Sequence, residues 1–193
     1  MVARAILLVL STIALLDGCA QPSVPPGTPP ERAFAGLWVP SPPEVIAAML
    51  DLAAVAPGDV VYDLGSGEGE IVIEAARRFG VRAVGVELDA ARVGNAEKNA
   101  VAAGVADRVR FVEGDLFETD IGEATVVTLY LFPELMRRLR PKLLRELRPG
   151  TRIVAHDFAL PDWPPEKTVD VRLDRIRRVY LWTVPAPGRT PRP

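Results

Sequence analysis

One stretch limits what this chain can fold into more than any other: Val60-Val61-Tyr62-Asp63-Leu64-Gly65-Ser66-Gly67-Glu68-Gly69-Glu70. It reads as a buried strand carrying an acid near its end, then a glycine-rich turn that opens a helix. Only glycine lets the backbone turn that sharply while leaving no Cβ between the turn and a ligand. A second strand, Ala83-Val84-Gly85-Val86-Glu87, ends in a carboxylate 24 residues after Asp63. An acid at that distance holds a ribose diol in a nucleotide-type βαβ unit. The glycine spacing also excludes something. A dinucleotide fingerprint puts its third glycine where this chain has Glu70, and here the extra glycine falls at Gly69.

The rest of the sequence alternates strand and helix. Ser41-Pro42-Pro43-Glu44 reads as a capping box with prolines in the first turn. It starts a helix with Val45, Met49 and Leu52 on one face. Helices are expected at 70–79, at 90–103 (closed by Gly104) and at 133–147, where Leu135, Leu139, Leu143 and Leu147 recur every fourth residue. Pro141 should kink or divide the last of these. Strands are expected at 60–64, 83–87, 109–113, 124–130 and 152–156, and residues 169–184 form two alternating runs that read as an antiparallel pair. This pattern predicts an α/β domain, doubly wound on a mostly parallel seven-strand sheet closed by an antiparallel hairpin. With 193 residues and 49% apolar content there is enough for one such domain with a well-filled core.

The chain ends lie outside that unit. Arg4 precedes twelve uncharged, mostly apolar residues, 5–16, and then Asp17-Gly18-Cys19. A short basic start and an apolar run too short to span a bilayer comfortably read as a signal peptide or membrane anchor over 1–19. Leu16-Asp17-Gly18-Cys19 resembles a bacterial lipobox, which implies a lipidated Cys19 and a membrane-associated, lipoprotein-like protein. Cys19 is the only cysteine, so no internal disulfide forms. Residues 20–35 are a proline-rich, extended spacer, the folded domain covers 36–184, and 185–193 form a second proline-rich tail.

Charge is uneven along the chain. Residues 1–132 hold 9 basic and 18 acidic side chains, residues 133–193 hold 14 and 7. An acidic half carrying the ligand loops suits a cationic ligand. No basic stripe with interleaved aromatics is present, so nucleic acid is not expected as a partner.

Asp63-x-Gly65-x-Gly67-x-Gly69, followed by the acid-tipped strand and by Glu113-Gly114-Asp115-Leu116, resembles motif I and its successors in the class I (seven-strand) S-adenosylmethionine-dependent methyltransferases. The resemblance implies S-adenosylmethionine as cofactor. Asp63, Gly65, Ser66 and Gly67 would hold its amino-acid part, and Glu87 both ribose hydroxyls, with Leu88 on the purine. Asp115 would take the adenine amine, with Leu116 beside it. Four further segments, Trp38-Val39-Pro40-Ser41-Pro42, Leu129 to Glu134, Pro149-Gly150-Thr151-Arg152-Ile153-Val154 and Phe158 to Trp163, are similar to the membrane-anchored mitochondrial lysine methyltransferases and their prokaryotic relatives. They are more distantly similar to the non-SET histone lysine methyltransferases. Glu70 stands where a basic residue is common in that group. The family implies direct transfer of a methyl group to a neutral amine, with Tyr130 facing the methyl as the residue that positions the nucleophile. No metal is implied. Three readings stay open: methylation of a protein lysine, methylation of a small molecule at O or N, and an exported lipoprotein keeping the fold as a non-catalytic binding module. The first predicts an open acidic groove at the site, the second a closed apolar pocket. Two other features have double readings. His156, the sole histidine, is a candidate base or an ordinary strand-end histidine. Trp38 and Trp163 wall a substrate channel or simply pack.

Overall fold

The computed structural model describes residues 39–186 and residue 188. The expected anchor, Cys19, the spacer and Trp38 lie outside the described residues, as does most of the tail.

The strands are β1 (Val60–Leu64), β2 (Arg82–Glu87), β3 (Val109–Glu113), β4 (Val126–Leu129), β5 (Arg152–His156), β6 (Lys167–Arg172) and β7 (Ile176–Thr183). They form one sheet in the order β3-β2-β1-β4-β5-β7-β6. All pairs are parallel except β5 with β7 and β7 with β6. The doubly wound sheet with its antiparallel hairpin is therefore as expected. Every residue of β1 and of β4 is buried, as suits central parallel strands covered on both faces. The edge strand β6 is mostly exposed and charged, with Lys167, Asp170 and Arg172 blunting it against further pairing.

The helices are α1 (Pro43–Leu52), α2 (Glu70–Phe79), α3 (Ala90–Ala102) and α4 (Pro133–Glu146). The strand period of two divides the core into two layers. Val61, Val126, Val154 and Val179 face Val45, Met49 and Leu50 of α1 and Val72 of α2. Tyr62, Leu64, Leu129 and Ile153 face Met136, Leu139, Leu143 and Leu147, while Leu135, the first leucine of the α4 pattern, is buried at the wall of a cleft. Trp163 belongs to this second layer. It is 6% exposed, packs against Trp182 with ring centroids 6.4 Å apart, and its carbonyl accepts the Trp182 indole N–H at 2.7 Å. Of its two readings, packing holds.

Two local expectations change. The α1 N-cap is Pro42 and no side chain caps the helix; the Ser41 hydroxyl is directed elsewhere, so there is no capping box. The helix α4 runs unbroken through Pro141. Its leucine stripe gains enough from burial to carry one missing backbone bond. Within β4, Thr128 is fully buried with its hydroxyl on Asp63.

The glycine turn has a packing role as well as a conformational one. Gly69 is the α2 N-cap at φ +89, and a Cβ there would stand 2.6 Å from the Phe111 ring and 3.2 Å from the Ala96 Cβ. Gly69 thus lets α2 close onto β3 and α3, the task that a dinucleotide fold gives to the following position. Gly65, at φ +85, would drive a Cβ to 2.8 Å from Leu131 Cδ2, so the loops after β1 and β4 touch there.

Candidate functional site

Strand order reverses between β1 and β4, and the loops leaving their carboxyl ends open a crevice at that point. A cleft of about 200 Å3 occupies it. Its walls include Asp63, Gly65 and Ser66 from the β1 turn, Glu87 and Leu88 from β2, Asp115 and Leu116 from β3, and Tyr130 from β4. The fold thus brings together candidate residues spread from Asp63 to Tyr130 along the chain. Gly67 is held to that wall by its N–H, which donates to Glu87 Oε2 at 2.9 Å.

The turn's N–H groups are committed within the protein. Those of Gly65 and Ser66 both donate to the Val86 carbonyl (2.8 and 3.0 Å), and that of Gly69 to the Ser66 carbonyl (2.9 Å). What the turn offers a ligand is therefore carbonyl oxygen, space, and one hydroxyl. The Ser66 Oγ is buried with no hydrogen-bond partner among the described residues.

Each carboxylate has its own environment. Asp63 is 3% exposed and accepts the Thr128 hydroxyl at 2.7 Å. Burial, opposed by that hydrogen bond and reinforced by Glu70 and Glu87, pushes its carboxyl up to about 7. Glu70 is also raised, chiefly by burial, with the Glu68 charge adding to it. Glu87 accepts the N–H groups of Gly67, Leu88 and Asp89 at 2.9, 2.9 and 3.0 Å, and Arg92 approaches it to 3.7 Å. Three N–H donors lock the carboxylate in one orientation and leave a lone pair on Oε2 for a further donor. Asp115 caps its own turn by accepting the Phe117 N–H at 2.8 Å, yet also stands in the cleft wall.

The β4 and β5 ends carry an aromatic group. Tyr130 stacks on His156 with centroids 3.9 Å apart and 27° between planes, and on Phe158 at 6.2 Å. Phe132 and Phe158 lie 6.5 Å apart. His156, at the end of β5, does not line the cleft and is fully buried behind Tyr130, with Nδ1 2.9 Å from the Ser41 hydroxyl and Nε2 3.5 Å from Asp157 Oδ2. Burial lowers its pKa to about 4, with Arg177 and Arg175 adding and Asp157 opposing. It is neutral at physiological pH.

Residues that no sequence motif singles out for the cofactor also line the cleft: Val39, Pro40, Ser41, Glu70, Ile71 and Arg92, with an apolar group from the β4 and β5 loops. For Arg92 a signal existed, since it lies in the first turn of the helix that follows the Glu87 strand. A second groove is lined by Pro43, Ile46 and Ile73 with Glu68, Glu70, Glu74, Arg77 and Asn99, Arg77 being paired with Glu74, and it shares Ser41 and Glu70 with the first cleft. Among the described residues no cluster of His, Cys, Asp or Glu forms a metal site, and no helix is long and apolar enough to cross a membrane.

A seven-strand sheet with β7 reversed, a glycine turn after β1 and acids at the tips of the next two strands define a class I S-adenosylmethionine-dependent methyltransferase. Comparison with known proteins agrees. The model of the ANTKMT methyltransferase domain matches residues 63–167, and the chain belongs to that family. It is 44% identical to a protein-lysine N-methyltransferase of Saccharolobus islandicus over 149 residues, which are 76% of this chain and 92% of that protein. It is 38% identical to the adenine nucleotide translocase lysine N-methyltransferase of Mus musculus over 129 residues, which are 66% of this chain and 56% of that protein. Among solved structures, an RNA methyltransferase from Salinibacter ruber in complex with S-adenosyl-L-homocysteine superposes with a TM-score of 0.73. The identity there is 54%, over 78% of this chain and 98% of that one. The protein is an enzyme, and its cofactor is S-adenosylmethionine.

Proposed function

We propose that this enzyme methylates lysine side chains of a protein by direct transfer. The observation that carries the reading is the groove that shares Ser41 and Glu70 with the cofactor cleft, lined by Glu68 and Glu70 beside the apolar Pro43, Ile46 and Ile73. Carboxylates next to an apolar floor suit the cationic end and the methylene stem of a lysine. An RNA acceptor, the substrate by which the Salinibacter neighbour is named, would press phosphates against those same carboxylates. The names of the Saccharolobus and mouse relatives support lysine.

The residues present fit the cofactor. In this reading the cofactor supplies an electrophilic methyl group on a sulfonium. Asp63 and the carbonyls of the Gly65–Ser66–Gly67 turn receive the cationic amino-acid end, and the orphaned Ser66 hydroxyl gains a partner there. Glu87, fixed by three N–H donors, accepts one ribose hydroxyl at the lone pair left on Oε2, and the second hydroxyl shares Oε1 with the N–H groups already there. Leu88 and Leu116 enclose the purine, and Asp115 takes its amine. Tyr130, held flat on His156, borders the acceptor nitrogen. The enzyme's contribution is chiefly proximity and alignment. In the same reading the apolar segment 5–16 as an anchor, or a lipidated Cys19, attaches this domain to a membrane.

The test is calorimetric titration of S-adenosylmethionine into the full chain and its Glu87→Ala variant, followed by methylation assays on lysine peptides and on RNA. Micromolar binding lost in the variant, with methyl incorporation into lysine, supports the reading. Incorporation into RNA alone overturns it.

A further inference from the structure

Ser41 and His156 are 115 residues apart, yet their side chains form a buried hydrogen bond of 2.9 Å. The partners have different surroundings. Ser41 is a wall residue of both the cofactor cleft and the acidic groove, a place it shares only with Glu70 among the described lining residues. His156 is fully buried behind that wall, stacked on Tyr130. Its second ring nitrogen, Nε2, has no hydrogen-bond partner among the described residues, and the Asp157 carboxylate stands 3.5 Å from it. That carboxylate is held by the Arg175 side chain at 2.7 Å and by the Arg178 N–H at 3.0 Å.

The charges around the ring favour one direction for the Ser41 hydroxyl. A neutral imidazole carries one proton, and its position follows from what each nitrogen faces. Nε2 makes no hydrogen bond, but the Asp157 carboxylate 3.5 Å away favours a proton there over a lone pair. Nδ1 is then a bare lone pair, and the Ser41 O–H donates to it. With its proton turned inward, the Ser41 oxygen presents lone pairs alone to the place where groove and cleft meet.

We propose that Ser41 accepts a hydrogen bond from the N–H of the incoming amine and so sets the direction of that nitrogen's lone pair, while His156 acts as a positioning residue that holds the Ser41 proton away from the site. This rests on the lysine reading above. An amine entering along the groove reaches the cleft beside Ser41 and Glu70, the two residues that line both. An acceptor there fixes one N–H and leaves the nitrogen's lone pair free to point elsewhere, into the cleft. A hydroxyl turned the other way would donate to that lone pair and block it.

Two measurements test the assignment. His156 is the sole histidine, so its ring nitrogens give unambiguous 15N NMR signals in the full chain. The expected result is a neutral ring protonated on Nε2, with the Nδ1 signal shifted in Ser41→Ala and largely kept in Ser41→Thr. A ring protonated on Nδ1 overturns the proposal, because Ser41 would then be the acceptor within the pair and a donor to the site. In steady-state kinetics on a lysine peptide, Ser41→Ala should lower kcat about tenfold with S-adenosylhomocysteine affinity unchanged. Ser41→Thr should restore most of it. His156→Phe, which keeps the stack on Tyr130, should lose about as much, and the double variant no more than the larger single loss. Ser41→Ala within twofold of the parent, or losses that multiply, overturns it. A parent chain that binds cofactor but methylates no lysine overturns both this proposal and the reading beneath it; normal parent activity with an unaffected Ser41→Ala overturns this one alone.

Discussion

Asp63→Asn should make the cofactor-free protein more stable at high pH and less able to bind its cofactor. Asp63 is 3% exposed, its carboxyl accepts the Thr128 hydroxyl, and burial pushes that carboxyl up from 3.8 to about 7. The folded-state value lies above the unfolded one. Between roughly pH 4 and pH 7 the folded state therefore binds more protons than the unfolded state, and stability falls as pH rises through that window. A rise of about 3 pH units at 1.36 kcal/mol each makes the penalty about 4 kcal/mol once the folded carboxyl is ionised. Asparagine keeps the shape and the contact with Thr128 but never ionises. Urea unfolding of the full chain and of Asp63→Asn at a series of pH values measures the difference. The variant's advantage should be small at pH 4 and grow to about 4 kcal/mol by pH 8. Titration with S-adenosylmethionine should show the opposite ranking, with affinity down at least about tenfold in the variant. A stability difference that does not change with pH would refute the reasoning, since it would mean that Asp63 is ionised as easily in the fold as in water.

Three further outcomes are expected. Gly69→Ala should cost well over the ~1 kcal/mol of a left-handed alanine, because its Cβ meets the Phe111 ring at 2.6 Å, whereas Gly104→Ala, at φ +69 with nothing within 4 Å, should cost about 1 kcal/mol; denaturation midpoints compare them. Trp182→Phe should lower stability by about 2–3 kcal/mol, since it removes the bond to the Trp163 carbonyl and leaves a gap in a fully buried site; thermal melts read this. Tyr130→Phe retains the stack on His156 and Tyr130→Ala does not, so their kcat values separate the hydroxyl's contribution from that of the ring; loss only in the alanine variant would assign Tyr130 a purely spatial role.

The sequence revealed what is local and periodic. The boundaries of β1, α2, β3 and β5 coincide with those read from pattern alone, because each is a short apolar run or helical stripe ended by glycine or an acid. The acids at or just past the tips of β1, β2 and β3 were legible for the same reason: in a parallel sheet the ends of successive strands converge. The Ser41 hydroxyl was not legible. Ser-x-x-Glu before an apolar run satisfies a local rule for helix starts, but the rule assumes that the hydroxyl has no better partner. Here β5 lies next to β4, and its last residue, His156, comes up beside the start of α1 with a nitrogen needing a donor. Nothing in the spacing of Ser41 and His156 encodes that meeting; it follows from strand order. Pro141 is a similar case, where a local penalty was outweighed by the leucine stripe of α4 entering the core.

The two buried titratable groups of the site differ in what a cationic ligand can do to them. Asp63 and His156 are both held toward their uncharged forms by burial, at about 7 and about 4. A positive charge bound in the cleft favours the ionised Asp63, because opposite charges attract most where water is excluded. The same charge disfavours a protonated His156 further, since like charges repel. Cofactor binding thus converts the cost of burying Asp63 into affinity and leaves the imidazole behind Tyr130 more firmly neutral than before. A neutral imidazole keeps its proton on one nitrogen, and on that depends the direction of the Ser41 hydroxyl. The charge that makes the cofactor reactive therefore also preserves the arrangement that receives its acceptor.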